Sequence, residues 1–289
     1  MRVHPLGYVS IFSTLLIVFA GTAFAEPGQA NPRYADRSMT LDKGTLRIDG
    51  GPSDFGLLDS GMINSGRGFR ISDIGTDTAV SLGLGVGYGI TDAFEVGALA
   101  LPLNFAPDGV DAFGNPELYA RYRFMTGNVE VGAQAAVQIP LNDYPFMGDY
   151  SFGFSAGLPV LVRLGKMGRM DTGIEGEFLF GDRVDPAGGT SSSMINIDVP
   201  LAFNFNVTDN VFLGGRTGLL VRDVTEADFD AFSVPLGIQG GYTLNKGVAD
   251  LTAWFKFPAF LGGDTYYGDT VNLDYWEIGF GANFFVGLM

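Results

Sequence analysis

Residues 195–207 read INIDVPLAFNFNV. The odd positions Ile195, Ile197, Val199, Leu201, Phe203, Phe205 and Val207 are all apolar. The even positions between them, Asn196, Asp198, Pro200, Ala202, Asn204 and Asn206, are polar or small. Successive side chains of a strand point to opposite faces, so this is one long strand with an apolar face and a wet one. Soluble strands average about five or six residues, whereas a tilted strand crossing a bilayer needs roughly nine to eleven.

The same alternation recurs along the chain. Val129 to Leu141 sets Val129, Val131, Ala133, Ala135, Val137, Ile139 and Leu141 against Glu130, Gly132, Gln134 and Gln138. Trp276 to Leu288 sets Trp276, Ile278, Phe280, Ala282, Phe284 and Val286 against Glu277, Gly279, Gly281 and Asn283. Lipid outside and a polar lumen inside select this pattern, so the fold class is all-β, a transmembrane antiparallel up-and-down β-barrel. A soluble β-sandwich is the rival, but it would have to bury such long apolar faces against each other.

Short turns fall at 91–93, 126–128, 166–170, 208–210 and 246–249, and longer polar connections at about 51–77, 105–115, 142–150, 182–192, 223–230 and 262–271. Short and long alternate, as periplasmic turns and outer loops do. With Thr45 to Gly50 as a short first strand, about twelve strands are expected, and both termini fall on the periplasmic side. In the third strand Phe94, Val96 and Ala98 favour one face and Leu99, Leu101 and Leu103 the other. A bulge between Val96 and Leu99 would reconcile them.

The N-terminus carries Arg2, an apolar run over 11–20 and a small-x-small triplet at Ala23-Phe24-Ala25. This predicts a signal peptide over 1–25, hence export to the outer membrane. Residues 26–44 are expected to form a periplasmic tail or partial plug, and 45–289 the barrel. The formal net charge of −15 argues against a nucleic-acid partner. Outer-membrane lipids, lipopolysaccharide and small solutes are the partners that the pattern implies. The outer connections are acidic and rich in tyrosine, which suits either plain solvation or divalent cations bridging lipopolysaccharide.

The stretches GLGVGYGITDAFEVGALALPL (83–103), PELYARYRF (116–124) and VEVGAQAAVQIPL (129–141) resemble the phenol-degradation (meta-pathway) outer-membrane proteins. That resemblance implies a channel for apolar or aromatic compounds, and it carries over no catalytic motif. Many outer-membrane proteins end in Phe, whereas here Met289 follows Leu288.

Parity directs Arg121, Arg123, Arg163, Arg216, Arg222, Lys256, Glu130, Glu175, Glu177, Asp198 and Glu277 into the lumen. Hairpin arithmetic pairs Arg163 with Glu175 and Lys256 with Glu277, while Arg121 and Arg123 share a strand with few close acids. Two readings stand: the charges pair across strands, or they form an eyelet that sorts solutes by charge. Leu161, Leu179, Phe212, Leu220, Trp254, Phe260 and Phe285 share this parity, as lumen packing or as a path for apolar solutes. Pro140, Pro159, Pro200, Pro235 and Pro258 occupy inward positions of five strands and are expected in the half nearer the outer loops. Either they form a constriction there or they end regular pairing.

The expected function is a porin-like channel for small polar or moderately apolar solutes. The alternative is a closed structural barrel whose loops bind a partner. The one histidine, His4, lies in the leader and the chain has no cysteine, so neither an enzyme nor a metal or other cofactor is expected. Purified mature protein should hydrolyse neither lipid nor peptide; turnover that is abolished by changing one side chain would refute this.

Overall fold

The computed structural model describes residues 33–50, 68–73, 78–106, 115–139, 150–184, 190–221, 224, 232–244, 247–263 and 271–288. The expected leader, the first part of the tail, Pro140 and Arg222 lie outside the described residues. So do most of the acidic loop positions.

The strands are β1 (Thr45–Asp49), β2 (Gly68–Asp73), β3 (Thr78–Thr91), β4 (Phe94–Ala106) and β5 (Glu117–Met125). Then come β6 (Val129–Gln138), β7 (Tyr150–Leu164), β8 (Gly168–Val184) and β9 (Thr190–Asn206). The last four are β10 (Val211–Val221), β11 (Phe232–Leu244), β12 (Ala249–Gly263) and β13 (Trp276–Gly287). Each pairs antiparallel with its sequence neighbours from β3 to β13, and β13 closes the sheet onto both β1 and β2. The result is a closed up-and-down barrel.

β1 and β2 occupy a single position in the wall, giving twelve staves. Asp49 faces Asn283 of β13 and Gly85 of β3, and Gly50 exchanges backbone hydrogen bonds of 2.9 and 3.0 Å with Ala282. Gly68 faces Gly83 and Phe69 faces Phe280. Gly68 therefore takes the rung directly after Gly50, so the register of the wall continues from β1 into β2. Gly68 has φ +97°, and an added Cβ there would lie 2.7 Å from the Trp254 ring. This corrects the expected 51–77 connection. GFRISD (68–73) is wall, because five residues of β1 cannot span a bilayer and the edge above them needs a partner.

Burial follows parity. In β6, Glu130 and Gln134 are buried while Val129 and Val137 are exposed. Exposed apolar residues ring the whole barrel, among them Val86, Leu118, Ile174, Leu213, Ile238 and Phe280. Near the short turns, Tyr88, Phe124, Phe205 and Tyr242 also face outward, where amphipathic rings favour the lipid interface. The bulge in β4 falls at Ala100, since Leu84 faces Leu101 while Gly85 faces Leu99. Leu99 thus stays inward and is buried, one step beyond the expected interval.

Four of the five expected inward prolines lie among the described residues, and each disturbs pairing. The β6–β7 ladder skips from Val131–Val160 to Gln134–Gly157 around Pro159. The β8–β9 ladder skips from Thr172–Leu201 to Glu175–Asp198 around Pro200. Between β11 and β12 the register shifts at Val234/Leu236, where Pro235 and Pro258 meet. Threonines compensate: the Thr172 and Thr217 hydroxyls donate to the Pro200 and Pro235 carbonyls, both at 2.9 Å. The expected common level does not hold. Pro159 and Pro200 lie in the halves of β7 and β9 nearer the short turns, since β7 runs Tyr150–Leu164 and β9 runs Thr190–Asn206.

Ile238 sits mid-strand on the lipid face and is 67% exposed. Ile238→Arg should cost about 2–4 kcal/mol of folding free energy in bilayers, measured by denaturant titration. A change within error would mean that this face does not meet hydrocarbon.

Candidate functional site: a plugged, charged lumen

The lumen has two tiers. At the short-turn end the segment 33–44 crosses the barrel mouth instead of hanging free, and Tyr34, Ala35, Arg37, Met39, Thr40 and Leu41 are buried. Its first part is a 3-10 turn, Tyr34–Asp36. Tyr34 stacks on Phe212 with ring centroids 3.7 Å apart, and the Arg169 guanidinium lies 4.8 Å from the same ring. Arg37 makes a two-pronged ion pair with Asp250 and sits 4.7 Å from the Phe285 ring. Met39 packs on Leu161. Gly132 faces Met39 because an added Cβ there would come within 2.7 Å of the sulfur.

Glu130 is the hub. Its carboxylate accepts from the Met39 backbone at 2.8 Å, the Ser38 hydroxyl at 3.0 Å, Arg163 at 2.5 Å and Arg123 at 3.3 Å. Arg163 also donates to the Asp36 carbonyl at 2.7 Å, and Arg121 to the Met39 carbonyl at 2.9 Å and to Gln134 at 2.7 Å. Further along, Leu41 donates its N–H to Glu95 at 3.0 Å, and Thr40 its hydroxyl to the Asp92 carbonyl at 2.7 Å. Glu95 in turn binds Arg47 and Tyr119. Charge-assisted bonds of this kind are shorter and about twice as strong as neutral ones.

Among the described residues the upper tier has no such strap. Glu175 and Asp198 face each other on β8 and β9, and Glu177 faces Ser155 and Asn196. Glu175 is buried, and Glu177, Asp198 and Glu117 all act on its charge. Asn196 donates to Glu177 at 2.8 Å. On the other side of the barrel Glu277 takes Lys256 at 3.3 Å, Arg70 at 3.4 Å and the Trp254 indole at 2.7 Å. Arg216 of β10 faces Ala202 and Gly237, below the level of Asp198.

The expected Lys256–Glu277 pair is therefore formed, and the Arg163–Glu175 pair is not. The β7–β8 turn centres on Lys166, so Arg163 faces Arg169 and Glu175 faces Gly157. Arg121 and Arg123 also depart from expectation, since Glu130 reaches Arg123 and the plug backbone occupies Arg121. Of the inward apolar residues, Leu161, Phe212, Trp254 and Phe285 are engaged in lumen packing. Sequence reasoning missed Arg47, Glu95, Glu117, Arg169, Asp171 and Asp250. Arg169 and Asp250 adjoin turns, and Glu95 lies in the strand whose register was ambiguous; the plug's partners carry no local signature at all.

This is an outer-membrane type of barrel with a charged lumen and an internal N-terminal strap. No family model and no curated protein matches the chain. Among solved structures it is similar to the NanC porin, with 12% identity and a TM-score of 0.52 over 75% of this chain and 98% of that one. It is also similar to the COG4313 outer membrane channel from Pseudomonas putida F1, with 13% identity and a TM-score of 0.50 over 90% and 99%. At these identities the likeness is one of fold, and the fold is that of outer-membrane porins and channels.

Glu130→Gln should loosen the strap. Loss of charge-assisted bonds worth about 1.5–3 kcal/mol predicts amide exchange at Met39 about tenfold faster or more, with the β6 and β7 amides unchanged. Unaltered exchange at Met39 would show that Glu130 does not hold it.

Proposed function

We propose that the chain is a passive, porin-like channel of the outer membrane, exported by its leader, for small polar or moderately apolar solutes. One observation carries this reading: above the strap the inward faces bear Glu117, Glu175, Glu177, Asp198, Lys256 and Glu277 between the apolar Leu179, Leu220 and Trp254. Taking charged side chains out of water costs several kcal/mol each even when they are paired, so such a lumen is stable when water fills it. The apolar belt supports a position among outer-membrane lipids, with lipopolysaccharide as the proposed neighbour of the outer loops. Arg121, Arg123, Glu130 and Arg163 belong to the strap's anchorage; the upper charges line the path. The weak point of the path is the strapped mouth, and this favours a second reading, a closed barrel whose outer loops bind a partner.

Planar-bilayer recordings separate the two. Refolded mature protein should give small, ohmic steps, and deleting residues 33–41 should raise the conductance severalfold. No steps from either form, with heat-modifiable mobility confirming that both are folded, would establish the closed barrel instead.

A further inference from the structure

The strap is held unequally along its length. Residues 39–44 belong to the wall they lead into. Met39 is clamped on three sides: its N–H donates to Glu130, its carbonyl accepts from Arg121, and its side chain packs on Leu161. Thr40, Leu41 and Lys43 then bind Asp92 and Glu95 of the β3–β4 hairpin. Gly44 donates to the Gly89 carbonyl at 2.8 Å and accepts from Leu288 at 2.7 Å, so the run is tied to both neighbours of β1. An added Cβ at Gly89 would come within 2.3 Å of the Asp42 carbonyl oxygen, which leaves this half no slack.

Residues 33–38 are attached differently, by side chains of strands lying further and further round the barrel. Arg163 of β7, Arg169 of β8, Asn206 of β9 and Phe212 of β10 hold them in turn. The Asp36 carbonyl accepts from Arg163 on β7, yet the next residue, Arg37, pairs with Asp250 on β12, five strands further along the sheet. In a ring of twelve staves that is almost the opposite wall, so the Arg37 side chain is a crossbar over the mouth. The cost of leaving also concentrates there. If residues 33–38 withdraw, Glu130 keeps Arg123 and Arg163, whereas Asp250 loses its guanidinium and keeps the Thr243 hydroxyl. A buried carboxylate stripped of its cation is strongly disfavoured until water reaches it. The turn at 34–36 can move as a unit, because the Asp36 N–H bond to the Arg33 carbonyl at 2.8 Å and the Arg33–Asp36 ion pair at 2.9 Å are internal to it.

We propose that residues 33–38 are a gate. It pivots at Ser38–Met39, the Arg37–Asp250 pair is its latch, and it swings out on the short-turn side while residues 39–44 stay in the wall. The proposal rests on the channel reading and adds the way in which the passage opens.

The test reads the swing itself as well as the current. Ala35→Cys places a thiol in the gate and Thr40→Cys one in the clamped half, at two positions that are both buried. A membrane-impermeant thiol reagent, applied from the short-turn side, should modify Ala35→Cys at least about tenfold faster once Arg37→Gln is added, and the Thr40→Cys rate should not change. Asp250→Asn is a second latch variant, in case Arg37→Gln folds poorly. In planar bilayers either full-length latch variant should step to the conductance level of the 33–41 deletion, for a share of the time about tenfold above the wild type. Unchanged labelling at 35 in both latch variants, or equal acceleration at 35 and 40, would overturn the hinged gate and leave the channel reading intact. Labelling as expected but no conductance from the deletion would overturn the channel reading, leaving a movable segment in a closed barrel.

Discussion

In hydrocarbon a backbone N–H or C=O without a partner costs several kcal/mol, so the sheet has to close on itself. Everything else in this molecule follows from how it closes. The closing stave is made of two short pieces: β1 alone would leave the upper halves of β13 and β3 as open edges, and β2 fills that gap in perfect register. Gly50 and Gly68 stand at the joint, where the bulk of Trp254 leaves no space for a larger residue at 68. The prolines obey the same rule. Each removes rungs from a ladder with no solvent edge, and neighbouring threonine hydroxyls satisfy the carbonyls of two of them.

Once the wall is closed, the lumen has a use for charge that differs between its ends. Near the short turns arginines and carboxylates are matched against each other and against the backbone of residues 33–44. Glu130 joins β5, β7 and the strap, and Glu95 joins β1, β5 and the strap. Further up, Glu117, Glu175, Glu177 and Asp198 lie on one side with Arg216 at their border, and Lys256 and Arg70 gather around Glu277 on the other. Matched charges fix a segment in place, whereas segregated charges leave a field across the passage.

Period-two alternation made the barrel, the lipid face, the alternation of turns and loops and nearly every strand legible in the sequence. It worked because parity is a local property that a one-residue error would invert. What was not legible depends on register or on distant contacts. The Arg163–Glu175 pairing failed because the turn centre was misplaced by three residues. GFRISD passed for loop because six residues are too short to declare themselves beside a glycine-rich stretch. The strap's lodging against Glu130, Glu95 and Asp250 joins residues far apart in sequence, and only the tail's polarity and position hinted at a plug. The acidic side of the lumen was half visible: Glu175, Glu177 and Asp198 were placed inward, but Glu117 joins them only when twelve staves are arranged in a circle.

The central claim is a wet, charged upper lumen above a strapped mouth. The chain contains no cysteine, so each introduced thiol is the sole target for a reagent. The decisive measurement is the rate at which a membrane-impermeant, positively charged thiol reagent, applied from the outer-loop side, modifies Ser155→Cys and Leu161→Cys in reconstituted protein. The account predicts rapid labelling at 155, opposite Glu177, and labelling slower by at least about tenfold at 161, packed beneath Met39. Equal protection of both thiols would contradict a wet lumen, and equal reactivity would contradict the strap.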